Sequence, residues 1–598
     1  MANSQNPLIQ DRTVDFLLHD VLQVETLCEL PYFADHSRET FDLFLAACRK
    51  YAREVLFDTY KPMDEQAAHY ESGRVHTHEL MKSVYPQLVE LGLLTATGGE
   101  EIDGQQLPLT VALASNAYLS AANLSAVGFL GLTHGAAHLI ESFGSDELKQ
   151  TYMEPMYAGR WTGTMALTEP QAGSGLNDVQ CRATPTEQGH YLLRGSKVFI
   201  SGGDNSFSEN VVHLALARID GAPAGTKGIS LFVVPRLRPE GAALVDNDVT
   251  SAGTFHKLGY RGIPSIALNF GEENRCHGYL VGEPHRGLFY MFQMMNEARL
   301  GVGTSAMATA MVAYEESLEY AKNRPQGRKF GHPASAPVVN IIEHADVRRM
   351  LVRQKAFAEG ALSLLLMAAR FADLAKHSQD DEERRSAGEL LGLLTPVAKT
   401  FPSEKGFESN ALAVQVLGGY GYTSEYLPES WLRDQKLNSI HEGTTGIQSM
   451  DLLGRKILGT GGATLKALQV ELQRSVALAS SHGLEPRFGQ ALLAAAEHLQ
   501  VTTMKIAECA GKEPEAAFQH SADYLDAFGT VVVAWQWLHM AAVAKRLLRP
   551  GHHDEDFMQG KLATCQYFFD NELPRARALL DVIAGFDGSF LGMQNAWF

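Results

Sequence analysis

The spacing of apolar residues changes twice along this 598-residue chain, and the order of those changes limits the folds that it can adopt. From residue 10 to about residue 157, apolar positions recur every three or four residues, which predicts helices. From residue 161 to about residue 283 the period falls to two, between turns rich in Gly, Pro and Asp, which predicts strands. Helical spacing returns from residue 287 onward. The chain is therefore expected to be mostly α with a central β domain.

Four domains are expected from these changes and from the glycines that separate them. They are an N-terminal helical domain at residues 1–160, a β domain at 161–284, a helical bundle at 285–460 and a C-terminal helical extension at 461–598. The last boundary falls at Gly459-Thr460-Gly461-Gly462, which is a hinge signal. The charged run at residues 378–386 is expected to be a solvated turn.

Composition argues against several classes of partner and cofactor. The formal net charge of −18 disfavours nucleic acid or an anionic membrane as a partner. The apolar run at residues 531–544 is too short to span a bilayer, so a core helix and no membrane insertion are expected. Scattered cysteines without a CxxC pair, and a first segment unlike a signal peptide, predict a cytoplasmic protein without a disulfide frame or zinc site. The histidines, His134 and His441 among them, lack HExxH or similar spacing, so no metal site is expected.

A carboxylate followed directly by a turn marks the most informative segment, SIHEGTTG at residues 439–446. Gly443 permits backbone dihedrals, or a close ligand approach, that a Cβ would block. Thr444 and Thr445 are candidate caps for a helix at residues 446–453. Glu442 in such a turn can be desolvated against a ligand, which raises its pKa and makes it a better base near neutral pH. The alternative is a capping Glu on a surface turn.

A second segment, WTGTMALTEPQAGSG at residues 161–175, is expected to be a strand that breaks at Glu169-Pro170 into a loop of small residues. Such a loop offers backbone N–H groups to a phosphate and lets a flat ring approach the chain closely. Farther on, YLLRGSKVFIS at Tyr191–Ser201 alternates apolar and polar residues like a half-buried strand.

In this order, with the SIHEGTTG motif far downstream, these segments resemble the acyl-CoA dehydrogenase flavoprotein family, and its extended subgroup that includes 3-methylmercaptopropionyl-CoA dehydrogenases. Six blocks carry the resemblance, and they lie at residues 132–135, 161–173, 210–235, 294–303, 415–422 and 433–456. The resemblance implies the family's fold, which is a helical domain, a β-barrel-like domain and a second helical domain. It also implies the extra C-terminal helical domain of the subgroup.

The activity that the resemblance implies is FAD-dependent α,β-dehydrogenation of an acyl-CoA to the trans-2-enoyl-CoA, in fatty-acid β-oxidation. Glu442 matches the base that removes the α-proton, while FAD takes the β-hydride with water excluded. The family's second location for the base matches Ala298, which cannot act as one. Glu297 beside it is then a polar contact near the CoA or an ordinary helix charge. Asn296 and Arg299, one helical turn apart, match residues that contact the CoA end of the substrate.

The resemblance also implies which residues contact FAD. Those along the ring and pyrophosphate are Met165, Leu167, Thr168, Gly173 and Ser174, the last of which also lies against the substrate. Those near the ring are Phe199 and Ser201, where many relatives carry Trp and Thr. Those that reach the FAD of a neighbouring subunit are Arg324, Gln415, Gly418 and Gly419. Those that follow the base are Thr444 and Gly446.

Partners and alternatives follow from the same resemblance. An electron-transfer flavoprotein is the expected electron acceptor, and a homodimer is the expected assembly, with a tetramer as the alternative. Straight medium- to long-chain acyl-CoA is the expected substrate, with 3-methylthiopropionyl-CoA as the alternative. An acyl-CoA oxidase and a non-catalytic flavin-containing binding protein are the remaining alternatives.

The GxGxxA pattern at residues 301–306 lies inside a helical pattern, so a Rossmann nucleotide site is rejected.

Overall fold

The computed structural model of the chain describes residues 6–598, apart from the side chains of residues 293–295. The expectation about a signal peptide concerns residues 1–5 in part, and these lie outside the described residues. By packing, the chain divides into two units. One holds the residues up to Phe41, Pro108–Ala117 and Val302–Phe598, and the other holds Asp42–Leu107 and Tyr118–Gly301. The four-domain division stays a prediction.

Helices dominate the residues before the β domain, as their apolar spacing predicts. They are α1 (Asp11–Asp15), α2 (Arg38–Tyr51), α3 (Tyr60–Glu65), α4 (Met81–Glu90), α5 (Leu109–Phe143), α6 (Asp146–Leu148) and α7 (Glu154–Tyr157), with a hairpin of β1 (His69–Glu71) and β2 (Arg74–His76). Helix α5 is the longest of these helices, with 35 residues. The dihedrals of Asn123 interrupt it, and a second helical segment begins there. The Asn123 Oδ1 atom caps that segment by accepting a hydrogen bond from Ala126 N at 3.1 Å.

The β domain holds an eight-stranded sheet, five of whose strands close into a ring, and a separate two-stranded hairpin. The strands are β3 (Trp161–Ala166), β4 (Arg182–Pro185), β5 (Tyr191–Ser201), β6 (Asn210–Ile219), β7 (Ile229–Pro235), β8 (Leu237–Glu240), β9 (Ala243–Asp246), β10 (Val249–Thr254), β11 (Ser265–Phe270) and β12 (His277–Leu280). The order is β10-β11-β5-β12-β7-β6-β3, and β8 pairs with β9 outside this sheet. Strand β4 pairs with both β5 and β6, so β4, β5, β12, β7 and β6 form the barrel-like part.

Two central strands, β6 and β7, depart from the two-residue period expected for the β domain. Strand β7 is buried along its whole length, and β6 is buried at all but its last two residues. A strand covered on both faces has no solvent side, so it does not alternate. His213 in β6 is a polar exception, and its Nδ1 atom lies 2.7 Å from Thr164 Oγ1. Burial lowers the pKa of His213 to about 3, so the ring is neutral.

The remaining helices follow the β domain. They are α8 (Gly287–Asn323), α9 (Ala345–His377), α10 (Asp381–Leu417), α11 (Pro428–Gln435), α12 (Thr445–Met450), α13 (Ala463–Ser481), α14 (Pro486–Ala510), α15 (Pro514–Phe518), α16 (Ser521–Leu547), α17 (Glu555–Tyr567) and α18 (Leu573–Ala584). The charged run expected to be a solvated turn instead begins α10. Asp380 is the N-cap of α10 and accepts hydrogen bonds from Glu382 N and Glu383 N. Acidic residues in a first helical turn are stabilised by the helix dipole, which explains the charge of this run.

One stretch within the described residues, Pro514–Leu547, is long and apolar enough to cross a membrane by length and composition. Its apolar window is 94% buried inside the protein. The two tryptophans of α16 are hydrogen-bonded there, because Trp535 Nε1 donates to Ser475 Oγ at 2.8 Å and Trp537 Nε1 donates to Ala356 O at 2.9 Å. This is the burial pattern of a core helix.

Candidate active site

Glu442 lies in a backbone turn between α11 and α12 that is strained at two consecutive residues. Glu442 has φ +51° and Gly443 has φ +88°. A non-glycine residue in the left-handed region carries a cost of roughly 1–3 kcal/mol, which the surrounding structure must offset. Gly443 meets the sequence expectation, since a Cβ there would come within 2.8 Å of Gln448 Nε2. The strain at Glu442 itself was not foreseen.

Hydrogen bonds to main-chain carbonyls hold this turn in place. Gln448 Nε2 donates to Glu442 O at 2.8 Å, and Lys399 Nζ, from α10, donates to Gly443 O at 2.9 Å. Lys399 and Gln448 are both fully buried. Thr444 is the N-cap of α12, and its side chain accepts from Ile447 N at 3.3 Å, as the sequence predicts. These hydrogen bonds therefore fix the backbone that bears the Glu442 side chain, and the residue is half-buried.

Thr445 was a candidate cap of α12, but the structure gives that role to Thr444 and places Thr445 in the first turn of the helix. Thr445 Oγ1 donates to Glu404 of α10. Gly446 is exposed in the first turn of α12. The contact between Thr445 and Glu404 adds a second attachment of the turn to α10, besides that of Lys399.

A buried ion pair anchors the small-residue loop in the β domain. Lys197 Nζ, from β5, lies 2.8 Å from Glu169 Oε1 and also donates to Leu167 O at 3.0 Å. Glu169 accepts further hydrogen bonds from Gln180 N at 2.6 Å and Cys181 N at 3.1 Å. Burial by itself raises the pKa of the Glu169 carboxyl, but Lys197 and these two backbone N–H groups lower it overall.

Sequence reasoning did not assign a role to Glu169, Lys197 or Lys399. The detectable signal for Lys197 is a lysine at an inward position of the alternating strand β5, where it is fully buried. An inward lysine on a strand requires a buried acceptor, and Glu169 supplies it. No comparable sequence signal identifies Lys399, because its acceptor, the carbonyl of Gly443, is a backbone group of a distant segment.

Phe199 lies at an irregularity of β5 that turns its ring outward. The register of β5 against β11 shifts between Lys197 and Ile200, and Phe199 has φ +59°. The residue is 62% exposed, and its ring stacks on Phe255 with centroids 4.5 Å apart. Val198 N donates to Thr168 O at 2.9 Å, so the loop after β3 is hydrogen-bonded to β5 next to Phe199. Ser201, at the end of β5, is partly exposed.

The other residues predicted along the FAD ring and pyrophosphate lie on β3 or in the loop after it. Met165 is on β3, and Leu167 follows it with partial exposure. Gly173 and Ser174 are exposed, and a Cβ added at Gly173 would meet no atom within 4 Å.

The residues predicted to contact the CoA are on α8. Asn296 is half-buried, and Arg299 is only 3% exposed. Glu297, between them, has its carboxylate Oε2 atom 3.2 Å from Nδ1 of His138 on α5. Glu297 on α8 therefore has a histidine partner on another helix, α5.

The residues predicted to serve a neighbouring subunit form an exposed edge at the end of α10. Gly418 N–H donates to Gln415 O, and Gly418 has φ +61°. The guanidinium of Arg324 lies 5.5 Å from the ring centroid of Tyr420, which follows Gly419 in sequence. Arg324, Gln415, Gly418 and Gly419 are all exposed in the described chain.

These features fit an FAD. The loop at Gly173 has no side chain in the way of a close backbone approach, and Phe199 offers an exposed aromatic face. Arg324 supplies a cation for a pyrophosphate beside the open backbone of Gly418 and Gly419. The buried Lys197–Glu169 pair keeps the Gly173 loop in one conformation.

Comparison with known proteins matches almost the whole chain to one family. The family models that match are acyl-CoA dehydrogenase, N-terminal domain (39–160), middle domain (164–272) and C-terminal domain (285–458), and acetyl-CoA dehydrogenase C-terminal like (468–594). The chain is 38% identical to 3-methylmercaptopropionyl-CoA dehydrogenase of Ruegeria pomeroyi, over 86% of this chain and 87% of that protein. It is 33% identical to a butyryl-CoA dehydrogenase of Syntrophomonas wolfei, over 99% of both.

A solved structure shows the same fold. An acyl-CoA dehydrogenase complexed with FAD from Bacillus anthracis matches with a TM-score of 0.70 at 21% identity, covering 99% of this chain and 96% of that one. The chain belongs to the acyl-CoA dehydrogenase family, and it has the family's helical, β and helical parts with an extra C-terminal helical domain. It is an oxidoreductase of fatty-acid metabolism.

Proposed function

We propose that the chain is an FAD-dependent acyl-CoA dehydrogenase that converts an acyl-CoA to the trans-2-enoyl-CoA, with Glu442 as the base. The observation that carries the proposal is the strained turn at Glu442. Its backbone is fixed by hydrogen bonds from Lys399 to the carbonyl of Gly443 and from Gln448 to the carbonyl of Glu442. Backbone strain of this kind clusters at functional sites, where it fixes a reacting group.

The chemistry removes two hydrogens from adjacent carbons. Glu442 takes the α-proton, and a bound FAD would supply the acceptor for the β-hydride. The acidity of the α-carbon depends on donors to the thioester carbonyl, each worth ~3–4 kcal/mol in comparable sites. The backbone N–H of Glu442 is the chain's own candidate for such a donor. Lys399 and Gln448 support it by fixing the peptides around Glu442.

For the substrate we propose straight medium- to long-chain acyl-CoA, in β-oxidation, with an electron-transfer flavoprotein as acceptor and the cytoplasm as compartment. The second candidate substrate is 3-methylthiopropionyl-CoA, which the similarity to the Ruegeria enzyme favours. One methylene changes discrimination by only ~1–3 kcal/mol, so small packing differences can change the preferred acyl chain while the motifs stay the same.

The test is anaerobic reduction of the purified protein, whose absorption spectrum should show about one FAD per subunit. Octanoyl-CoA should bleach the wild type, and Glu442→Gln should keep FAD and bind acyl-CoA but bleach ~10²–10⁴-fold more slowly. Glu497→Gln, the same chemical change at an exposed position of α14, should match the wild type. A colourless protein that cannot be reconstituted with FAD would contradict the cofactor.

Two further arms separate the alternatives. Near wild-type bleaching in Glu442→Gln together with loss in Glu297→Gln would mean that the base is misassigned. A panel of butyryl-, octanoyl-, palmitoyl- and methylthiopropionyl-CoA with an artificial acceptor decides the substrate, and the highest kcat/KM identifies it. Rapid reoxidation in air with stoichiometric peroxide would instead indicate an oxidase.

A further inference from the structure

Two histidines and a glutamate, none of them among the residues assigned to FAD or to the base, come together on α5 and α8. His134 and His138 lie on α5, and Glu297 lies on α8, with all three in the same packing unit. Their ligand atoms are within 4.8 Å of one another. The histidine rings are tilted, with centroids 5.8 Å apart.

We propose that His134, His138 and Glu297 form a binding site for a divalent transition-metal ion of the zinc type. The His-x3-His spacing presents both rings on one face of a helix, which is how helical zinc sites place two imidazoles. A glutamate from a second helix completes a three-ligand set, which leaves the fourth position of a tetrahedral ion to water. Glu297 is 42% exposed, so water reaches that side of the cluster.

The distances suit zinc. Ligands about 2.0–2.1 Å from a tetrahedral ion lie about 3.3 Å from one another. His138 Nδ1 and Glu297 Oε2 are 3.2 Å apart, which is already that separation. All the ligand atoms lie within 4.8 Å of one another, so no pair has to approach by more than about 1.5 Å to reach the separation in a tetrahedral site.

A backbone contact orients His134 for this role. Its Nδ1 atom lies 2.8 Å from Leu94 O, so Nδ1 carries the proton and Nε2 keeps a lone pair. Metal-binding histidines commonly use such a contact on the other ring nitrogen, which fixes both tautomer and ring orientation. The residue after His134 is Gly135, so the Glu of an HExxH motif is missing and the site has no general base of the metalloprotease kind.

The structural consequence is a link between α5 and the first turns of α8. Glu297 adjoins Asn296 and lies two residues before Arg299, the residues predicted to contact the CoA. A bound ion holds this turn of α8 against α5 within one unit. The sequence analysis expected no metal site because HExxH spacing is absent, whereas the proposed site combines His-x3-His spacing on α5 with a third ligand that is distant in sequence.

The test is zinc binding by the purified full chain after stripping with EDTA. Titration against a chromophoric chelator should give one Zn²⁺ per subunit, and X-ray absorption should show two imidazoles and a carboxylate. His138→Gln and Glu297→Gln should each weaken the Kd by at least about 10-fold. Their melting temperatures in EDTA should equal that of the wild type, while added zinc should raise only the wild-type value.

The matched control is the exposed cluster of His552, His553 and Asp554, which are consecutive in sequence. The double substitution His552→Gln and His553→Gln should leave the Kd unchanged. Loss of zinc in this control, or an unchanged Kd in His138→Gln, would overturn the proposal and leave the contact between His138 and Glu297 as an ion pair. The absorption experiment on the wild type needs no variant, so a variant that fails to fold does not prevent the decision.

Discussion

At the scale of single residues, buried charges in this protein are matched to specific partners. Lys197 is fully buried and Glu169 is 3% exposed, and each satisfies the other together with backbone groups. A second example is Glu359, which contacts Lys561 at 2.8 Å and also pairs with Lys355. Such a pair adds little net stability over an apolar replacement, but removal of one partner leaves an uncompensated buried charge.

Lys197→Met should therefore destabilise the β domain by about 3–5 kcal/mol and release the Gly173 loop. The pKa of Glu169 is depressed in the wild type, so its contribution is present above its unfolded pKa and lost as pH falls through the folded value. Urea unfolding and FAD retention at pH 8 measure the effect. Arg275→Met, which removes an exposed cation from the same domain, should leave both readouts almost unchanged.

The double variant Glu169→Gln with Lys197→Met separates charge from packing. It should recover much of the lost stability, because neither a buried carboxylate nor a buried ammonium is then left alone. A double variant that unfolds as readily as Lys197→Met would show that packing of the lysine stem, and not the charge, stabilises the loop.

At the scale of elements, a carboxylate on one helix caps the beginning of another. Asp373 on α9 accepts hydrogen bonds from Leu109 N at 2.7 Å and Thr110 N at 3.0 Å, which are the first backbone donors of α5. Thr110 Oγ1 donates to the same carboxylate at 2.6 Å. Helix N-termini require such acceptors, and Pro108 before α5 supplies none through its side chain.

The Asp373 cap predicts a pH dependence of stability. Burial raises the pKa of Asp373 from 3.8 to about 6, despite the hydrogen bonds that lower it. Between these values the folded protein binds a proton that the unfolded chain has released, so stability falls as pH rises from 4 to 6. The decline should be about 3 kcal/mol and should level off above pH 6. It should be absent in Asp373→Asn, as measured by urea unfolding at pH 4, 5, 6 and 7.

Asp380→Asn is the matched control, since Asp380 caps α10 at an exposed position. Hydrogen bonds from Glu383 N and Glu382 N lower the pKa of Asp380, so its effect on stability appears below pH 4. The control should keep the wild-type decline between pH 4 and 6. The same decline in Asp373→Asn would assign it to another group.

At the scale of the whole molecule, the exposed edge at Arg324 and Gln415 predicts assembly. An exposed arginine stacked on Tyr420 beside open glycine backbone suits a phosphate-bearing ligand shared with a second subunit. We expect a homodimer, and Arg324→Ala should weaken both dimerisation and FAD retention, because ligand and assembly are thermodynamically linked.

Sedimentation velocity and the ratio of flavin to protein absorbance measure the two effects together. Arg385→Ala is the control, because Arg385 is 66% exposed and pairs only locally with Glu382 on α10 among the contacts described. A monomer with full flavin content, in the wild type or in Arg324→Ala, would contradict the shared-site prediction.

Local sequence patterns by themselves determined much of the secondary structure and several turn and cap residues of this protein. The two-residue period predicted a strand at the observed bounds of β5. Thr444 was recognised as a cap and Gly443 as a residue of unusual dihedrals, since both properties depend on neighbours in sequence. The family resemblance, also carried by short motifs, located the segments around Glu442 and Gly173.

Tertiary structure alone decided the contacts between distant segments. The Lys197–Glu169 pair, the Asp373 cap on α5, the support of Gly443 by Lys399 and the meeting of His138 with Glu297 join residues far apart in the chain. Periodicity reports which face of an element is apolar, but it does not report which buried polar group meets which partner. That choice depends on how the elements pack, because a buried charge is tolerated only where packing brings a complementary group to it.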